Sequence, residues 1–457
     1  MGNGRDRRRS APPPTVVPPR PADADPYLPG HGDVTFAVRH YDLALDYRLT
    51  TNALRAVATL TVDALEPIDT LTLDLHGLTV RKVRVDGALA RHRHTGSRLL
   101  VRLPEPLAPG VGATVRVSYA GRPVPVEGPH GEAGWEELAD GALVASQPYG
   151  SPSWFPCNDR VSDKATYRVA VTTESDYTVV VTGQGSKPRR EAGRRRWTFE
   201  QTRPTPTYLM AAHVGRYTTT AIPGPVPLRV HHPGDQGPRA RRAFGRLPIM
   251  LDAFVDLFGP YPFAGYEVVV TPEPLEIPLE AQGLATFGVN FLEPGWEQER
   301  LIAHELAHQW FGNCVTVGQW QDVWLHEGFA CYAEWLWAQA SGHRRTDALA
   351  AEHWARLDRL PQDLVLANPG PEAMFDDRVY KRGALALHAL RKHLGDPAFF
   401  AMLRDWVARY RFGTVSTADF LAHARRHAPE ADGSLGRLLD VWLFSPALPA
   451  LAALPGR

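Results

Sequence analysis

Cysteine is scarce in this chain. Its 457 residues hold three, Cys157, Cys314 and Cys331, and none belongs to a CxxC pair, which argues against a disulfide framework, a dithiol redox motif or a cysteine-built structural zinc site. They read as reduced thiols. Long apolar runs are missing as well: no stretch reaches the ~18–20 uninterrupted apolar residues that a membrane helix needs. Nor is there an excess of charge of one sign. The 50 basic and 50 acidic side chains cancel, so no global field draws the protein onto nucleic acid or an anionic membrane. The opening run MGNGRDRRRSAPPPTVVPPRPADADP has arginines but no apolar core behind them, so neither a secretory nor a twin-arginine leader is expected there. Asp6 stands where a myristoylation signal has Ser or Thr. These absences together lead to the expectation of a cytoplasmic monomer that binds neither nucleic acid nor membrane.

A chain this long is expected to divide, because single hydrophobic cores stop growing at about 250–300 residues. Residues 1–33 are rich in Pro, Arg and Asp with little to bury and read as a disordered tail. Over 34–220 the pattern is short alternating runs such as FAVRHYDLALDYRL, ATVRVSYAG and DYTVVVTG, the signature of an all-β domain. From 221 to 457 the periodicity becomes helical after a few strands such as YEVVVTP, in runs such as RLIAHELAHQWFGN, WLHEGFACYAEWLWAQASG and YKRGALALHALRKHLG. An α+β chain follows, β first and mainly helical after.

Chemistry concentrates in the second part. His304-Glu305-Leu306-Ala307-His308 lies in an expected helix from 297 to 311. Four residues is just over one helical turn, so both imidazoles leave one face and can share an ion, while Glu305 lies about 100° round the helix, within reach of a water on that ion. Eighteen residues separate His308 from Glu327, a gap that accommodates the end of one helix, a connection and the start of a second helix near Trp324. Two histidines, a glutamate and an open fourth position make a catalytic rather than a structural zinc set, with one Zn2+ expected per chain. Glu334, two turns beyond Glu327, is placed to hydrogen-bond a ligand histidine. Cys331 reads as a packed thiol and His326 as pointing away from the metal.

HELAHQWFGN at 304–313 and WLHEGFA at 324–330 closely resemble the gluzincin aminopeptidases of the aminopeptidase N and leukotriene hydrolase family. The resemblance extends to WFPCND at 154–159, to Asp163-Lys164-Ala165 and to TYLMAAHVGRY at 207–217. It implies a β-saddle N-terminal domain on a thermolysin-like catalytic domain, a peptide substrate, and hydrolysis of N-terminal residues with Glu305 as general base. It further implies that Tyr380, in VYKRG, is the phenol that stabilises the oxyanion, and that VWLFSPALPAL closes the catalytic domain, leaving the substrate channel more open than in relatives with a large helical C-terminal domain. The amine-anchoring element departs from the family's Gly-Ala-Met-Glu-Asn: the aligned run is Ile277-Pro278-Leu279-Glu280-Ala281, in which only the glutamate survives. Glu280, helped by Gln147, is the expected amine anchor, with Tyr149 at the place of the family's second anchor. Glu276 is expected to line a partly dry pocket for the first side chain and to favour Arg or Lys. The alternatives are a zinc endopeptidase or small-amide hydrolase without strict free-amine specificity and, more remotely, a non-catalytic interaction module.

Overall fold

The computed structural model describes residues 25–428 and 433–451. Two hydrophobic cores organise them. One is built from strands between Phe36 and Val214, the other mainly from residues beyond Leu228. In the first, strands Phe36–Arg48 and Ala53–Ala64 pair antiparallel, and Phe36–Arg48 also pairs in parallel with Lys164–Thr173 inside a nine-stranded sheet. A five-stranded and a three-stranded sheet accompany it. The run LRAVATLTVDA alternates buried and open positions almost without a break, as a half-covered strand must.

The second core begins with a five-stranded sheet in which Tyr217–Ile222 pairs with Leu228–Pro233. Strand 217–222 therefore belongs to the second domain, and the seam falls at about Arg216 rather than at 220. The helices follow: α1 (Gly237–Phe244), α2 (Leu247–Phe258), α3 (Trp296–Ala307), α4 (Trp324–Ala340), α5 (Thr346–Leu357), α6 (Asp377–Leu394), α7 (Asp396–Arg409), α8 (Thr417–Arg426) and α9 (Ser434–Phe444). Helix α4 buries nearly all of its length, including its aromatic side chains Trp324, Phe329, Tyr332, Trp335 and Trp337; a helix buried on nearly every side is a central helix.

The expected tail needs correction. Residues 1–24 lie outside those described, but residues 25–33 are packed against both domains. The Asp25 carboxylate accepts the Trp320 N–H at 2.7 Å, Tyr27 donates its hydroxyl to Asn368 and accepts the Gly370 N–H, and Gly32 N–H reaches Asp74. Composition misled because these partners lie as far as 343 residues away.

Candidate active site

Helix α3 opens with Glu297 and Glu299 in its first turn, where acidic side chains complement the helix dipole. It ends at Ala307, four residues short of the expected 311, because the next turn tightens: Gln309 and Trp310 N–H bond the carbonyls three residues back. His304 sits in the last turn and His308 at the C-cap, still in helical conformation, so the two rings keep the i, i+4 relation with centroids 4.8 Å apart. Glu327 enters from the first turn of α4. Its Oε2 lies 3.3 Å from His304 Nε2 and 3.4 Å from His308 Nε2, all three side chains being buried.

The outer nitrogens are fixed. His304 Nδ1 is 2.8 Å from Glu334 Oε1, and His308 Nδ1 donates to the Phe311 carbonyl at 3.0 Å, which leaves both Nε2 atoms facing Glu327. Burial would lower the basicity of His304, but its hydrogen bonds to Glu327 and Glu334 raise it to about 9. Burial would raise Glu327, yet the two imidazoles hold it far below the ordinary carboxylate range. Glu334 is held down at about 2 against its own burial by Lys381, His304 and Arg300. The site thus sets a carboxylate oxygen against two imidazole nitrogens, a donor set that a divalent cation can bridge. Three buried donor atoms within 4.8 Å of one another, two nitrogen and one oxygen, fit the His2Glu set that zinc takes in hydrolases.

Around this centre lies a cavity of about 1090 Å³ lined from both domains. Glu305 faces it, buried, with Oε2 bonded to nothing among the described residues. Burial raises its carboxyl group. Tyr380, in the first turn of α6, faces the same space with its ring centroid 6.0 Å from that of His304. Burial drives its phenol well above its ordinary pKa, so the O–H stays on. Glu280, in the strand Leu279–Ala281, belongs to a second group of donors with Glu305 and His308, and its Oε1 accepts from Gln147 Nε2 at 2.7 Å.

Two expected positions come out differently. Glu276 is exposed on the cavity rim, so the drying expected to sharpen its charge does not occur. Tyr149 is buried with its hydroxyl spent on the Gly131 carbonyl and the His130 N–H; it does not line the cavity. His326 accepts the Val317 N–H at 2.8 Å, and Cys331 lies 3.3 Å from Lys381 Nζ. Sequence reasoning missed Arg300, whose Nη1 donates to Glu334 at 3.2 Å. Its position one turn before His304 on α3 was the available signal.

With this geometry in view, the comparisons are specific. The Peptidase family M1 domain matches residues 249–442 and the Peptidase M1 N-terminal domain residues 37–209. A two-domain M1 zinc metallopeptidase mutant from Deinococcus radiodurans, solved with Tyr-Ser-Ala, is 34% identical with a TM-score of 0.85, over 94% of this chain and 99% of that one. The chain belongs to peptidase family M1. Human endoplasmic reticulum aminopeptidase 1 is 26% identical over 83% of this chain, and the glutamyl aminopeptidase of Bitis rhinoceros 27% over 68%. The chain spans 44% and 35% of those two relatives' lengths. Yeast LTA4 hydrolase, 23% identical over 91% of this chain and 69% of its own with a TM-score of 0.77, shares the fold. M1 membership implies one catalytic zinc, which the His2Glu set suits.

Proposed function

We propose that this M1 peptidase is a zinc aminopeptidase in which His304, His308 and Glu327 hold the metal. The observation that carries the reading is Glu280: a buried carboxylate, steadied by Gln147, grouped with Glu305 and His308. A carboxylate there serves an enzyme that holds a substrate ammonium and cuts one residue away. Peptide as substrate is supported by the Deinococcus relative's complex with Tyr-Ser-Ala.

When bound, zinc lowers the pKa of its water and polarises the scissile carbonyl. Glu305 accepts the attacking water's proton through its unpartnered oxygen and returns it to the leaving nitrogen. Tyr380 donates its phenol hydrogen to the oxyanion as charge develops, while Glu334 fixes the His304 ring. We also assign the enzyme to the cytoplasm, a reading supported by its three buried, unpaired thiols, and take it to be a monomer.

Aminoacyl anilides with free and with acetylated amino groups test the proposal. The free-amine series is expected to be cleaved, with activity lost to a chelator and restored by zinc, and Glu280→Gln is expected to raise KM at least tenfold. Equal cleavage of the acetylated series would turn the reading towards an endopeptidase or amide hydrolase.

A further inference from the structure

A second cluster of ligating side chains lies far along the chain from the catalytic one, where α7 packs against α8. His423 and His427 are spaced i, i+4 along α8, with His427 at the C-cap. The arrangement repeats that of His304 and His308 on α3, down to a ring-centroid separation of 4.8 Å. Asp405 on α7 supplies a carboxylate: its Oδ2 lies 3.0 Å from His427 Nε2 and 3.9 Å from His423 Nδ1. One ligating atom from each of the three side chains falls within 4.8 Å of the others.

The chemistry of His423 is more telling than the proximity. Its ring is completely buried and its Nε2 bonds the Met402 carbonyl at 2.9 Å. A carbonyl only accepts, so Nε2 carries the hydrogen and Nδ1 presents its lone pair to Asp405 and His427. This is the device that orients a metal-binding imidazole, and the Phe311 carbonyl serves His308 in the same way. What reaches the lone pair now is a cation: Arg426 Nη2 donates to His423 Nδ1 at 3.0 Å. Arg426 is exposed, on the same helix, and can swing into solvent. Asp405 and His427 are partly exposed, so their side chains can shift to bring the donors from within 4.8 Å of one another to the ~3.3–3.5 Å expected on one tetrahedral zinc, given bonds of ~2.0–2.1 Å.

We propose that Asp405, His423 and His427 form a second, peripheral site for a borderline-soft divalent cation such as Zn2+ or Ni2+, with Arg426 as the resident counter-cation that the metal displaces. An imidazole pair with one carboxylate suits these ions over Mg2+ or Ca2+, which want oxygen. The site joins α7 to α8 and is independent of the catalytic reading.

Isothermal titration of the zinc-loaded enzyme with Zn2+, and separately with Ni2+, decides the matter. The wild type is expected to take up one further equivalent and to gain thermal stability with it, since a cation bound only by the folded state stabilises that state. His427→Ala and Asp405→Asn, both at the surface, are expected to lose that equivalent while keeping the catalytic zinc and ordinary turnover of a leucyl anilide. Arg426→Ala is expected to bind the second cation about tenfold more tightly, a change that an ion-pair network without a metal role does not produce. The proposal is overturned if the wild type takes up no second equivalent at 100-fold excess of free cation, or if uptake is unchanged in His427→Ala and Asp405→Asn.

Discussion

Glu305 buries one carboxylate oxygen with no hydrogen-bond partner among the described residues, and an unsatisfied buried polar atom costs about 1–3 kcal/mol. That cost falls on a side chain that lines the catalytic cavity, as expected of the proposed general base. Glu305→Gln preserves size and burial but removes the base. Turnover is expected to fall by roughly 10²–10⁴, with metal content measured by atomic absorption unchanged and stability equal to or above wild type. Normal turnover would take Glu305 out of the reaction; lost zinc would make it a structural support. Its neighbours show what a sequence makes plain about such a site. The HExxH spacing and Glu327 encode the donor set locally, since helical geometry alone aims His304 and His308. The environment of Glu276 is not local: TPEPLEIPLE says nothing of which side of the cavity mouth it meets, and the chain leaves that carboxylate in solvent.

Helices α4 and α6 approach through a pair of glycines. A Cβ built on Gly383 would stand 2.7 Å from the Gly328 Cα, and one on Gly328 would stand 2.8 Å from the Gly383 Cα; both distances are shorter than any ordinary carbon contact. With no side chain between them, the helices bring Glu327, beside Gly328, towards Tyr380, one turn before Gly383. Gly383→Ala is expected to destabilise the protein by about 1–3 kcal/mol, as overpacked cores do, and to lower kcat/KM by moving Tyr380 away from His304. Gly436→Ala in α9, where a Cβ meets nothing within 4 Å, is the control: it should be neutral or stabilising by up to about 1 kcal/mol, the helix-propensity gain. Urea denaturation of both variants checks this, and equal effects would show that the helix contact is not tight. The helices themselves were legible as periodic runs, whereas their glycine contact was not, because the 54 intervening residues decide which glycine meets which. The end of α3 was misread for a related reason: the HELAHQWFGN run keeps its apolar period past Ala307, and only the tightened hydrogen bonds of the following turn stop the helix.

Across the whole molecule, the two domains meet through buried polar contacts as well as apolar ones. Lys164, from the N-terminal domain, donates to the Asn313, Cys314 and Gly413 carbonyls and to Thr316 Oγ1, gripping the loop that follows the histidine pair. His213 in the strand Ala212–Gly215 bonds Thr286 Oγ1 in Leu284–Gly288 at 3.0 Å, with its other nitrogen buried and unpartnered. The β-then-α order was readable from periodicity, but nothing in TYLMAAHVGRY marks its histidine as the one that crosses to the catalytic domain. Burial, helped by His231, pushes the His213 imidazole down to about 3, from an ordinary value of 6.5. Between those two values the unfolded chain binds a proton that the folded one refuses, so the contribution to stability is complete above pH 6.5 and is lost as the pH falls towards 3. The slope approaches 1.4 kcal/mol per pH unit inside that window. His213→Phe removes this proton uptake and leaves the other titrations in place. Measured by urea denaturation of the two proteins side by side, the wild type is expected to lose about 2 kcal/mol relative to the variant between pH 6.5 and 4.5. Parallel profiles would mean that His213 is protonated in the folded protein and that its bond to Thr286 does not depend on a neutral ring.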